Sequence, residues 1–187
     1  MIQRRSAYLP EGYYYLPDFI SVEEERDLLD RMDTLTFRAV EMRGMVAKRK
    51  VLHFGWSYGY ESWKIIPGVP IPDWLLPLRD RASVLMEESA ERIEEVLISH
   101  YPPEAGIGWH RDAPMFGSKV VGLSLLGPCR LRFQRKRGAV RDLSECQLDP
   151  RSAYLLSGQA RVMWQHSIPP TKVLRYSITF RTLKNTR

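Results

Sequence analysis

Arg175-Tyr176-Ser177-Ile178-Thr179-Phe180-Arg181 alternates polar and apolar side chains without a break. That is the two-residue period of a strand with one face against a packed core. Arg175, Ser177, Thr179 and Arg181 then line one face, while Tyr176, Ile178 and Phe180 pack away from it. Working outward, short strand candidates fall at 94–101, 107–110, 119–126, 130–134, 152–156, 160–165 and 173–183. Pro102-Pro103-Glu104-Ala105-Gly106, Gly127-Pro128 and the run from Gln134 to Gly138 are the turn signals between them. Two helices precede these strands. Ser21-Val22-Glu23-Glu24 has the spacing of a capping box and predicts a helix to about Met32. Pro72-Asp73-Trp74 opens a second helix to about Ser89, with Leu75, Leu78, Ala82 and Leu85 at helical spacing. Short strands at even spacing behind helices predict a mainly β, α+β domain with a jelly-roll-like sandwich.

Two guanidinium groups on the interior face of a β structure are costly unless each meets an anion. A dicarboxylate is a natural partner for Arg175 and Arg181. Upstream, Trp109-His110-Arg111-Asp112 places an imidazole and a carboxylate two residues apart, on the same face of an extended segment. His166 follows after a long loop. Two imidazoles and one carboxylate can occupy one face of an octahedral ion and leave three positions open, the arrangement that suits iron(II). His-x-Asp by itself is a short pattern that arises by chance, and its weight here comes from the arginines that accompany it. Zinc hydrolases also use histidine and carboxylate ligands, but they gain nothing from Arg175 and Arg181.

Tyr101, His110-Arg111-Asp112, His166, and Arg175 with Arg181 six residues apart together resemble the AlkB family of iron(II)- and 2-oxoglutarate-dependent dioxygenases. The match runs over 94–183. The resemblance implies a double-stranded β-helix core, with His110, Asp112 and His166 as iron ligands. Arg175 and Tyr101 would grip the distal carboxylate of 2-oxoglutarate, and Arg181 would sit nearer the metal. The family often carries Asn where this chain has Ser99 and Ser177. Those two are candidate co-substrate contacts that keep a hydroxyl but have shorter reach. Some members place an acidic residue two positions after the iron-binding Asp to read a methylated base, and here that position is Pro114. Base identity is therefore left open.

With 187 residues, 44% hydrophobic and 27% charged, the chain is expected to be one soluble domain. Residues 1–93 would supply helices and a candidate substrate lid, and 94–184 the oxygenase core. Cys129 and Cys146 have no metal-ligand or disulfide-scaffold spacing and are read as reduced. No apolar run is long enough to span a bilayer, and the N-terminus lacks a signal-like apolar stretch. A cytoplasmic monomer with no membrane partner is expected.

The net charge of +6 favours polyanionic partners. Arg38, Arg43, Lys48, Arg49 and Lys50 run directly into His53, Phe54, Trp56, Tyr58, Tyr60 and Trp63. Lys48, Arg49, Lys50, Trp56 and Tyr58 are thus candidate contacts to a nucleic-acid strand, cations for phosphates and rings for stacking. A solvated hairpin with its aromatics in the core fits the same residues. Arg130 and Arg132 share a strand face and would reach a substrate phosphate if that face looked into the barrel mouth. The leading expectation is an oxygenase that uses dioxygen to dealkylate N-alkylated DNA or RNA. Its rivals are a 2-oxoglutarate oxygenase acting on a protein side chain or small molecule, and a non-catalytic nucleic-acid-binding module.

Overall fold

The computed structural model describes residues 2–5, 8–42, 44–58 and 65–184, with the backbone alone at 2–5, 42, 45, 57, 58 and 65. The chain runs β1 (Ile2–Arg5), β2 (Tyr13–Leu16), α1 (Val22–Met32), β3 (Arg38–Met42), β4 (Met45–Tyr58), β5 (Ile65–Pro67), α2 (Leu76–Met86) and β6 (Ile93–Tyr101). It continues through β7 (Ile107–His110), β8 (Phe116–Leu125), β9 (Cys129–Arg137), β10 (Val140–Leu148), β11 (Ala153–Leu156), α3 (Gly158–Val162), β12 (Gln165–Ile168) and β13 (Arg175–Leu183).

The strands form two facing sheets, a jelly roll. The minor sheet has the order β1-β10-β9-β12-β7, and the major sheet β2-β11-β8-β13-β6-β4-β3 with β5 paired to β4. β13 lies between β8 and β6, pairing Arg175 with Tyr101, Ser177 with Ser99 and Arg181 with Glu95. Its alternation divides two cores. Tyr176, Ile178 and Phe180 join Val121, Leu123, Leu28, Met32, Leu78 and Met86 between the sheet and the helices. Tyr101 and Val120 meet Leu131, Phe133, Leu148 and Trp164 between the two sheets. Full burial of one such side chain stabilises by about 1.5–3 kcal/mol.

Helix α1 starts as its sequence predicts. Ser21 N–H donates to Glu24 Oε2 at 2.8 Å, and Glu24 N–H donates to Ser21 Oγ at 3.2 Å. The second helix is shorter than expected: a 3-10 turn at Asp73–Leu75 leads into α2, which stops at Met86 because Glu87 turns left-handed at φ 52°. The 160–165 segment is not a strand. Ser157 N-caps α3, and burial of Ala160, Arg161 and Trp164 follows a helical turn, so the strand begins only at Gln165.

The run read as a turn from Gln134 is strand as far as Arg137. β9 and β10 form a hairpin with Arg137 opposite Val140 and Gly138 at φ +56° in its tip. Two of its cations are paired across the hairpin, Arg135 and Arg137 lying 3.6 and 3.1 Å from Asp142. The segment read as a lid is largely sheet as well, since Lys50 to Gly55 of β4 pair with β6.

Candidate active site

His110 and His166 are set by strand register. β12 pairs with β7 so that the two histidines lie directly opposite, with ring centroids 4.2 Å apart. Asp112 follows the end of β7, and its Oδ2 lies 3.8 Å from His166 Nε2, wider than a hydrogen bond. Among the described residues no group of three His, Cys, Asp or Glu side chains is gathered closely enough to hold an ion as it stands, the triad of His110, Asp112 and His166 included.

Its protonation state suits a divalent cation. Burial, with the neighbouring His110 and Arg161 and Arg181 charges outweighing Asp112, holds His166 down at about 3. Burial also lowers His110 against the pull of Asp112. Burial would raise the Asp112 carboxyl, but Arg181, His166, His110 and Arg161 overcome it and hold it at about 2. At neutral pH the set is therefore two neutral imidazoles and one carboxylate. His110 Nδ1 lies 2.9 Å from the Gly108 carbonyl. A carbonyl only accepts, so Nδ1 carries the proton and Nε2 keeps its lone pair for a ligand.

Two buried arginines hold the Asp112 segment. Arg161 donates through Nη1 to the Asp112 carbonyl at 3.1 Å, through Nη2 to Ala113 and Phe116, and through Nε to Gly117. Arg181 bridges two carboxylates, with Nη1 3.2 Å from Asp112 Oδ1 and Nε 2.9 Å from Glu95 Oε2. Glu95 is fully buried and also meets His53 Nδ1 at 3.0 Å. The anions that Arg181 requires are thus supplied by the chain itself, whereas the sequence led us to expect a bound dicarboxylate.

Arg175 differs. It is 1% exposed, yet among the described residues its only hydrogen bond is a donation from Nη2 to Ser124 Oγ at 3.1 Å. Its Nε and Nη1 are buried with no hydrogen-bond partner among those residues. The guanidinium lies 4.7 Å from the centroid of the Tyr101 ring, with Ser99 and Ser177 paired across the adjoining strands. A buried cation with open donors is a site for an anion. Tyr154 packs over Gly122, where an added Cβ would stand 2.5 Å from the tyrosine hydroxyl. Burial, then the Asp112 charge, pushes the Tyr154 hydroxyl well above the usual range, so it stays protonated.

The expected substrate contacts are scattered. Lys48 and Lys50 are exposed, but Arg49 between them points inward and is buried, so the three do not form one cationic surface. Trp56 is half-buried. The backbone alone of Tyr58 is described, and Arg43, Tyr60 and Trp63 lie outside the described residues. Arg130 and Arg132 occupy the outer face of the minor sheet, because Leu131 and Phe133 fill the inner one. Arg130 lies 3.8 Å from Glu145, and Arg132 covers the Trp109 ring at 5.0 Å and donates to Ser167 Oγ. Neither looks into the barrel mouth.

Glu95, Arg161 and His53 were missing from the predicted site, and Arg49 was expected at a nucleic-acid strand rather than in the interior. Glu95 shares strand parity with Ser99 and Tyr101, a signal that could have found it. Arg161 lay in a segment read with the wrong period.

This chamber, on a jelly-roll frame, has counterparts among known proteins. The profile of the 2OG-Fe(II) oxygenase superfamily matches residues 12–181. The chain belongs to that superfamily, whose members use iron(II) and 2-oxoglutarate, and the relatives it resembles are AlkB homologues by name. It is 28% identical over 209 residues to the alkylated DNA repair protein ALKBH8 homolog of Arabidopsis thaliana, covering 93% of this chain and 59% of that protein. It is 27% identical over 174 residues to the tRNA (carboxymethyluridine(34)-5-O)-methyltransferase alkbh8 of Xenopus tropicalis, covering 89% of this chain but 26% of that one. The probable RNA/DNA demethylase ALKBH6 of Danio rerio is 29% identical over 155 residues, covering 79% of this chain and 60% of that one. The chain therefore spans between about a quarter and three-fifths of these relatives. The structure of OsALKBH1 shares the fold with a TM-score of 0.75 at 17% identity, over 94% of this chain and 98% of that one. Among the described residues no helix is long and apolar enough to cross a membrane.

Proposed function

We propose that this chain holds iron(II) through His110, Asp112 and His166 and binds 2-oxoglutarate through Arg175 and Tyr101. With these it oxidatively dealkylates an N-alkylated nucleic-acid base, releasing formaldehyde, succinate and carbon dioxide. The observation that carries the reading is Arg175, a fully buried guanidinium with open donors in the same chamber as a triad of two neutral imidazoles and a carboxylate.

Iron(II), 2-oxoglutarate and dioxygen together supply the oxidation: one oxygen atom enters succinate as carbon dioxide leaves, and the other enters a substrate C–H bond. The chain's own residues position and shield. Arg175 holds the far carboxylate with charge-assisted hydrogen bonds. Arg181 orients the Asp112 carboxylate, and Arg161 fixes the backbone that carries it. Tyr154, kept protonated, presents a donor to the chamber. On an N-methyl group the hydroxylated carbon leaves as formaldehyde. A base in a duplex must be flipped out, or already unpaired, to reach such an interior.

The net charge of +6 and relatives named for DNA repair, tRNA modification and RNA/DNA demethylation support the nucleic-acid substrate. A second reading, an oxygenase of a protein side chain or small molecule, is favoured by the division of Lys48, Arg49 and Lys50 between two faces of β4. To separate them, iron-loaded protein is incubated with methylated oligonucleotides, peptides and free bases while succinate and formaldehyde are followed by mass spectrometry. Succinate and formaldehyde in equal amounts from an oligonucleotide is the expected result. Hydroxylated peptide with every oligonucleotide untouched would establish the second reading.

A further inference from the structure

Among the described residues four arginines are buried: Arg49, Arg161, Arg175 and Arg181. The chain satisfies two of them itself. Arg161 has backbone carbonyls and Arg181 has two carboxylates. Among the described residues the other two have one neutral hydroxyl partner each, Ser124 for Arg175 and Ser99 for Arg49, which donates from Nη1 at 3.1 Å. Both flank the same ring, with guanidinium carbons 4.7 Å (Arg175) and 6.0 Å (Arg49) from the Tyr101 centroid. No carboxylate among the described residues pairs with Arg49. It is 5% exposed, too deep for the phosphate backbone of a polymer.

We propose that Arg49 is a second co-substrate cation, gripping the keto-acid end of 2-oxoglutarate while Arg175 grips the far carboxylate. The assignment rests on the reading that this chamber takes 2-oxoglutarate. The division of ends follows from position. Arg175 lies nearer the Tyr101 ring, at 4.7 Å against 6.0 Å, whereas Arg49 bonds to Ser99, two residues along β6 toward Glu95 and the Arg181–Asp112 pair. Serine at position 99 is what admits it: the short side chain leaves room for a guanidinium arriving from β4 and supplies the hydroxyl that orients it. Two buried cations beside one ring, with no carboxylate partner among the described residues, select a dianion with separated charges.

The test is calorimetric binding of two ligands to anaerobic, manganese-loaded protein: 2-oxoglutarate, and 2-oxopentanoate, which lacks only the far carboxylate. Arg49→Gln should weaken both by a similar factor of about 10 to 100, the range for a hydrogen bond to a charged group. Arg175→Met should weaken 2-oxoglutarate alone. Melting of the ligand-free protein provides a second readout, because removing a buried unpaired charge should hold or raise the melting temperature, whereas a structural arginine would lower it. Arg49→Lys, which keeps the charge, should recover part of the affinity for both ligands.

Unchanged affinities in Arg49→Gln would overturn the proposal. So would a loss confined to oligonucleotide binding, or a lowered melting temperature with no recovery in Arg49→Lys. A parent protein that binds no 2-oxoglutarate would overturn it together with the proposed function, whereas a parent that binds beside an unaffected Arg49→Gln removes the Arg49 assignment alone.

Discussion

Arg175 is where the chemistry of a single residue is clearest. Its burial is tolerable only if an anion arrives, and removing one partner of a buried charge pair typically costs about 3–5 kcal/mol. Arg175→Met should therefore lower 2-oxoglutarate affinity by roughly two to three orders of magnitude in a direct titration. Gly122 makes a different prediction. A Cβ there meets the Tyr154 ring at 2.3–2.5 Å, so Gly122→Ala should destabilise by about 1–3 kcal/mol through overpacking. Because the clash is with one side chain, Tyr154→Leu should relieve it, and a double-mutant cycle by denaturant unfolding should show strong coupling. His166 sets a pH dependence. Its folded value of about 3 lies below the ordinary 6.5, so below about pH 6.5 the unfolded chain takes up a proton that the folded one refuses. Stability of the metal-free protein is fully present above that point and declines as pH falls toward 3. Asp112, held at about 2 against an ordinary 3.8, extends the decline to lower pH. Melting curves from pH 8 to 4 should show the slope, and His166→Asn should flatten it between pH 6.5 and 4.

At the scale of elements, α3 matters more than its five residues suggest. It aims Arg161 at the carbonyls of Asp112, Ala113, Phe116 and Gly117, so a short helix from one side of the barrel holds the loop that carries a ligand. Arg161→Met strands those carbonyls and removes several charge-assisted hydrogen bonds, each worth about 1.5–3 kcal/mol. Iron affinity should fall at least tenfold, and amide exchange at 112–117 should accelerate. Undisturbed exchange there would show that the loop is held by something else. β4 contributes in the same way, turning its odd-numbered residues Arg49 and His53 toward the site and leaving Lys50 beside His100 on the helix side.

Across the whole molecule, the basic charge of the chain is divided between interior and surface. Of the cations in the run from Lys48 to Lys50, the exposed pair alone can neutralise phosphates. Lys48→Gln with Lys50→Gln should reduce the slope of log affinity for single-stranded oligonucleotides against log salt by no more than about two, and leave 2-oxoglutarate affinity unchanged. A larger loss would mean that the lysines anchor the strand through more than counterion release.

What the sequence determined by itself is local and periodic. His110 with Asp112, Tyr101 with Ser99, and Arg175 through Arg181 could be placed on faces because side chains on a strand repeat every two residues. The capping box of α1 was legible because its two hydrogen bonds span three residues. The residues that hold the site together were not legible in this way. Glu95 becomes the partner of Arg181 only when β6 pairs with β13, Arg161 reaches Asp112 from a helix read as a strand, and Arg49 turns inward only once β4 joins the sheet. Pattern assigns a residue to a face, but which face looks into the barrel is fixed by how the sheets stack. That is why Arg130 and Arg132, equally cationic and equally alternating, lie outside while Arg49 and Arg175 lie within.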